Sequence, residues 1–191
     1  MLEIAKALQY LHAHDIVHSD LQWVSMLPPS KCPCVRTDPF TTQPNFVING
    51  NHVAMWNFGF SRTRHHEATS GWRDEYAPYH FAERKPSKVK DIFSCAMLFL
   101  SLGLAAVGAS GPQDLGGGMQ DFRAVATALM SSVSYQRPRP PVPPRLLDSN
   151  CFGDQKGEVV WKLILDMVDP DNTVPLSMDT IVARLTAIIS E

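Results

Sequence analysis

Residues 4–21 read IAKALQYLHAHDIVHSDL. Leu2, Ala5, Leu8 and Leu11 recur at helical spacing and Ile4 widens the face, so a helix is predicted over residues 2–13. It should end near Asp15, after which Ile16 and Val17 begin a short extended piece. His18, Ser19 and Asp20 follow as a polar turn.

Moving outward, residues 28–46 are rich in proline and lack periodicity, which marks a surface insertion. FVINGNHVAMW then signals a hairpin: Val47 and Ile48 lead into Asn49-Gly50, a favoured tight-turn pair, and Val53 and Met55 alternate on the way out. Residues 59–90 are polar and loop-like. An apolar helix is predicted over 91–107, followed by a Gly-rich stretch and a helical pattern through Phe122, Val125, Leu129 and Val133. Residues 134–150 form a Pro-rich connection whose core, QRPRPPVPPR, must be extended, because each ring fixes φ and removes a donor. A helix over 157–168 is closed by Asp169-Pro170. The last helix is capped by Ser177 and turns Ile181, Leu185 and Ile188 to the core. The fold class is mainly α, helical with a small β-hairpin, in one domain spanning residues 1–191.

Composition narrows the function. A chain of 191 residues with 45% hydrophobic and 19% charged content can build a real core and is neither disordered nor collagen-like. Its formal net charge of −2 gives no electrostatic reason to expect nucleic acid or an anionic membrane as partner. Residues 92–113 carry no charge and are long enough to pose the membrane question. Lys88, Lys90 and Asp91 at one end and Gly108, Gly111 and Pro112 at the other favour a buried central helix. The N-terminal stretch, with acidic Glu3 and amphipathic spacing, reads as neither signal nor transit peptide, so reduced thiols and a cytoplasmic location are expected. Cys32-x-Cys34 with His12, His14, His65 and His66 lacks the spacing of a zinc site, and no metal is assigned.

Four segments in this order resemble the C-terminal lobe of a eukaryotic protein kinase. Residues 4–21 resemble the passage from helix E into the catalytic loop. HVAMWNFGFSR (52–62) resembles the strand and magnesium loop, YAPY (76–79) the Ala-Pro-Glu element, and KVKDIFSCAMLF (88–99) the start of the buried helix F. The tail, DPDNTVPLSMDTIVARL (169–185), is similar to the family's closing helix. Together they cover nearly the whole chain. The resemblance implies a kinase-like C-lobe, with Asp20 at the position of the base that accepts a substrate hydroxyl proton. It also implies that Asp91 caps helix F and anchors the catalytic loop through its backbone; the residue's own position reads equally well as a plain helix N-cap. His18 is expected to pack under the loop.

The departures from that pattern bear on activity. Gln22 stands where the family has a lysine that neutralises the transferring phosphoryl group. Ser25 stands where an asparagine holds one magnesium ion, and Asn57 replaces the aspartate that holds the metal in Asp-Phe-Gly. Magnesium favours anionic oxygen ligands, and neither replacement carries charge. Losing one placed electrostatic stabiliser costs about 2.7–4 kcal/mol in the transition state. Two or three such losses, only partly additive, would slow transfer by roughly three to six orders of magnitude. The Gly-rich phosphate loop and the strand lysine with its helix C glutamate, which the family places in an N-terminal lobe, have no counterpart in these residues. Tyr79 and Thr173 take the places of a Glu–Arg pair, and losing both partners of a buried pair can be nearly neutral.

The expectation is therefore a degenerate, catalytically impaired pseudokinase lobe that binds protein partners and needs no cofactor. The alternative is a divergent protein kinase that transfers the ATP γ-phosphate to a protein hydroxyl with magnesium, its N-lobe missing from this chain, with Asp20 as base and Ser25 and Asn57 as weak ligands. Arg62, Arg64, His65 and His66 fall where an activation loop lies and read as a solvated loop. The stretch from Arg137 to Arg145 has basic residues flanking a Pro-x-x-Pro core, as a proline-recognition ligand does. The resemblance favours instead a connection packed against the lobe.

Overall fold

The computed structural model describes residues 1–21, 46–49, 52–55, 58–63, 87–106, 125, 128–129, 141–143, 147, 154–169 and 176–190. In chain order these form α1 (Leu2–Ala13), β1 (Ile16–Val17), β2 (Phe46–Asn49), β3 (His52–Met55), a 3-10 turn (Phe58–Phe60) and β4 (Arg62–Thr63). The longer helices α2 (Lys88–Ala106), α3 (Asp154–Val168) and α4 (Met178–Ser190) follow. The described residues are mainly helical, with two small antiparallel strand pairs, β1–β4 and β2–β3.

Helix α2 is the centre of the core. From Ile92 to Leu100 every residue except Ser94 is buried. At about 100° per residue, a run of that length covers all sides of the helix, so α2 is enclosed by protein. Helix α3 packs along it, and α1 packs against both α4 and β3. The faces buried in the core are those the 3.6-residue period picks out: Ile4, Ala5, Leu8 and Leu11 on α1, and Ile181, Leu185 and Ile188 on α4. Ser177 caps α4, its Oγ accepting the Thr180 N–H at 3.3 Å. Two polar ties join helices at their surfaces: Arg184 to Asp166 at 2.9 Å, and Gln9 to Asp179 at 2.6 Å. Among the described residues no helix is long and apolar enough to cross a membrane.

Several boundaries differ from the sequence reading. Helices α2 and α3 each begin three residues before the predicted starts of 91 and 157. Their first turns are largely polar and show no apolar period. Part of the stretch read as loop over 59–90 is ordered: Phe58–Phe60 makes a 3-10 turn and Arg62–Thr63 pairs with β1. Arg62 is partly buried in that strand and donates to the Ser61 carbonyl at 2.8 Å, so it belongs to no solvated loop. In the hairpin, Asn49 pairs with His52, which moves the two-residue connection from Asn49-Gly50 to positions 50–51. Val53 and Met55 rest against the core while Ala54 is exposed, the expected alternation.

The insertion over 28–46 lies outside the described residues, except Phe46, which opens β2. Of the helical pattern over 121–133, Leu129 is buried and Val125 packs against the core; Phe122 and Val133 lie outside the described residues. In the Pro-rich connection Pro141 is exposed, Val142 packs on the core and Pro143 is buried. Cys32, Cys34, His65, His66, Tyr79 and Thr173 lie outside the described residues.

Candidate functional site

The polar turn after α1 is held by the first turn of α2, more than seventy residues later in the chain. Ser87 caps α2: its Oγ accepts the Lys90 N–H at 3.3 Å and its carbonyl accepts the Asp91 N–H at 3.2 Å. Asp91 is therefore not the N-cap, as its own position had suggested. It lies one turn inside the helix, and its carboxylate bonds outside that helix.

That carboxylate is buried and takes donors from three residues. Oδ2 accepts the His18 backbone N–H at 2.7 Å, and Oδ1 accepts the Ser19 N–H at 2.9 Å. The His12 Nε2 lies 3.1 Å from Oδ2 and donates to it. Two successive amides directed at one anion form a backbone nest, which requires a left-handed residue. Ser19 supplies it, with φ of 68°. For a residue with a side chain this conformation costs about 1–2 kcal/mol. Each hydrogen bond to a charged group returns about 1.5–3 kcal/mol, so the pair of amide bonds holds the strained turn. The Ser19 hydroxyl is buried without a partner among the described residues, a further cost of the same geometry.

Around this anchor the turn is fixed from other sides. His18 is fully buried and its ring lies against Phe58, with centroids 5.3 Å apart and planes tilted by 59°. The Asp20 N–H donates to His18 Nδ1 at 3.3 Å, which requires a bare Nδ1 and places the ring proton on Nε2. The Ser61 hydroxyl donates to the His18 carbonyl at 3.1 Å, and Val17 pairs with Arg62 in the β1–β4 ladder just before the turn. Lys88 completes the corner. Its Nζ donates to the His12 carbonyl at 2.6 Å and to Asp15 Oδ1 at 2.7 Å, a cation set at the C-terminal end of α1. Asp15, also left-handed at φ of 55°, turns the chain from α1 into β1.

Of the residues singled out in the sequence, His18, Asp20 and Asp91 come together here, with Asp20 half-buried at the lip of the turn. Gln22, Ser25 and Asn57 lie outside the described residues; Phe58, the next residue after Asn57, is the one that meets His18. Sequence reasoning missed His12, Lys88, Ser61 and Phe58 as parts of this corner. His12 falls on the apolar face of α1, four residues beyond Leu8, and that position was the available signal. His12 on α1 and His14 just after it, both weighed as zinc ligands, have other partners: His12 bonds Asp91, and His14 Nδ1 donates to the Tyr10 carbonyl at 2.8 Å. One turn along α2, burial pushes the Cys95 thiol far above the ordinary thiol range, and the nearby Asp91 charge adds to that. Such a thiol is a packing group and not a nucleophile.

Chemically, the corner offers one half-buried carboxylate, Asp20, on a backbone fixed by another carboxylate that is itself fully engaged. It can hold a loop rigidly. Comparison with family models and with curated proteins finds no match to this chain.

Proposed function

We propose that this chain is the C-terminal lobe of a degenerate protein kinase, catalytically impaired, which works in the cytoplasm by binding protein partners. The observation that carries the reading is the Asp91 anchor. The resemblance calls for an aspartate of the central apolar helix to hydrogen-bond the backbone of the His-x-Asp turn, and Asp91 does so at His18 and Ser19. Two further features support it. The central helix is buried on all sides, and the strand following the Asn57-Phe58-Gly59 segment pairs with the strand leading into the turn.

The residues at the metal and phosphate positions do not suit ATP and magnesium. Ser25 offers a hydroxyl and Asn57 an amide, so neither brings the negative charge a hard dication selects, and Gln22 cannot neutralise a phosphoryl group. Asp20 persists, but a base gains little where nothing stabilises the oxygen it deprotonates. No catalytic step is assigned.

Incubating the purified chain with labelled ATP, magnesium and a mixed protein substrate, beside Asp20→Ala, tests this reading. Incorporation at background level in both proteins is the expected result. Phosphate transfer that disappears in Asp20→Ala would show a working, divergent kinase.

A further inference from the structure

The anchored turn encloses a titratable ring, and its hydrogen bonds decide which protonation state the closed turn accepts. His18 is fully buried, and the Asp20 N–H reaches its Nδ1 at 3.3 Å. That bond occupies the nitrogen lone pair on which a second ring proton would have to sit. Phe58 lies against the ring at a centroid distance of 5.3 Å, and the Ser61 hydroxyl and the β1–β4 pairing hold the adjoining backbone. An imidazolium is therefore disfavoured while the turn is closed: it would be a buried cation that has also displaced a hydrogen bond.

We propose that His18 makes this turn acid-sensitive: the turn closes on a neutral ring, and uptake of a proton at Nδ1 displaces the Asp20 amide and opens that end. The inference goes beyond the protein-binding reading and does not depend on the kinase resemblance. Charged groups on each neighbouring element bear on it. Among the described residues, α2 brings Asp91 and Lys88, the end of α1 brings His12 and Asp15, and β4 brings Arg62. The Asp91 carboxylate would favour a cation, but the His18 and Ser19 amides and His12 already engage it. Asp15 is paired with Lys88, and Arg62, beside Val17 in the ladder, opposes a second cation. Asp20 would favour one as well, yet its own amide holds the nitrogen to be protonated. His12 responds in the opposite sense. Its Nε2 donates to Asp91 at 3.1 Å, and a second proton on that ring leaves the bond in place and adds attraction. Acid therefore spares the Asp91 anchor and releases the Asp20 end. The open chain binds a proton near the ordinary histidine value of about 6.5 that the closed turn refuses, so closure is fully favoured above that pH and weakens toward tenfold for each unit below it.

The test is NMR of the full chain, labelled in its histidine ring nitrogens and backbone amides, between about pH 7.5 and 5. At the upper end His18 should carry its proton on Nε2. Below about pH 6.5 the protection of the Asp20 amide, corrected for intrinsic exchange, should fall toward tenfold per pH unit, with the Ser19 amide remaining the better protected of the two. His18→Asn, which sets an oxygen that does not titrate near the place of Nδ1, should abolish that dependence. His12→Gln and His14→Gln should keep it. Asp20 protection that is constant over this range would overturn the proposal, as would a dependence that survives in His18→Asn or vanishes in His12→Gln. Where His18→Asn does not fold, the wild-type ring decides: a second proton on His18 with the Asp20 amide still protected contradicts the proposal. Phosphotransfer by the same preparation would refute the impaired-kinase reading without touching this result.

Discussion

The first turn of α2 and the two turns after it are continuous in one helix, yet they are held by different physics. Ser87 to Asp91 is a polar junction, where a serine caps the helix and one carboxylate and one lysine reach across to the end of α1 and the turn beyond it. Ile92 to Leu100 is apolar and enclosed, and it contributes by removing hydrocarbon from water. The difference teaches what each part specifies. Apolar burial fixes that the helix is central and tolerates exchange of one large side chain for another of similar volume. The polar junction fixes the conformation of a single distant turn, and no other residue type reproduces its three acceptor contacts.

The largest test of this contrast removes one residue from each part. Asp91→Ala strands two buried amides and the His12 donor and should cost about 3–5 kcal/mol in denaturant unfolding. Phe99→Ala leaves a cavity and should cost a similar amount, about 3–5 kcal/mol. The two should part company in a double-mutant cycle with His12→Ala. Coupling of about 0.5–3 kcal/mol is expected with Asp91→Ala and near-additivity with Phe99→Ala. Equal coupling in both pairs would erase the distinction between the parts.

A second measurement concerns the buried part alone. The Cys95 thiol has its folded pKa raised by burial from an ordinary value of 9.0, so the folded chain keeps a proton that the unfolded chain releases. Its contribution is fully present below about pH 8.5–9 and is lost as pH rises above that, with a slope approaching 1.4 kcal/mol per pH unit. Cys95→Ala should flatten the alkaline limb of the stability–pH curve, and an unchanged slope would contradict the assignment. The smallest effect belongs to the junction. Ser19→Gly relieves a left-handed residue at some cost in unfolded-state entropy and should stabilise by about 0.5–1 kcal/mol. In an Asp91→Ala background the gain should shrink, because nothing then demands positive φ at Ser19.

The same division explains what could be read in the sequence. The apolar faces of α1 and α4 follow the helical period, and the capping of α4 by Ser177 was legible beside them. The central helix was legible from its uncharged run. The early starts of α2 and α3 were not, because Lys88–Lys90 and Asp154–Lys156 are largely polar and a moment of hydrophobicity cannot register them. β4 has two residues, too few for any period, and the hairpin shifted by one because position 50 is glycine in either frame. In the candidate site, local reading made Asp91 a cap, since hydrogen bonds to a turn seventy residues away leave no local pattern. The loop-anchoring role came only through the family resemblance. His12, weighed only as a zinc ligand, was missed as a partner of Asp91 for the same reason: a histidine on an apolar face looks like core until its partner is in place. Gln22, Ser25 and Asn57, on which the proposed loss of metal-binding charge rests, lie outside the described residues and bear on it by residue chemistry alone.

The most direct check on the proposal of a kinase-like lobe with impaired metal positions is a thermal-shift titration of the intact chain with ATP, with and without magnesium. Binding at a hundred times the dissociation constant would add about 2.7 kcal/mol to stability, an effect large enough to move the midpoint by several degrees. The expected result is a midpoint that stays in place under both conditions. A rise that appears only when magnesium accompanies ATP would contradict the account.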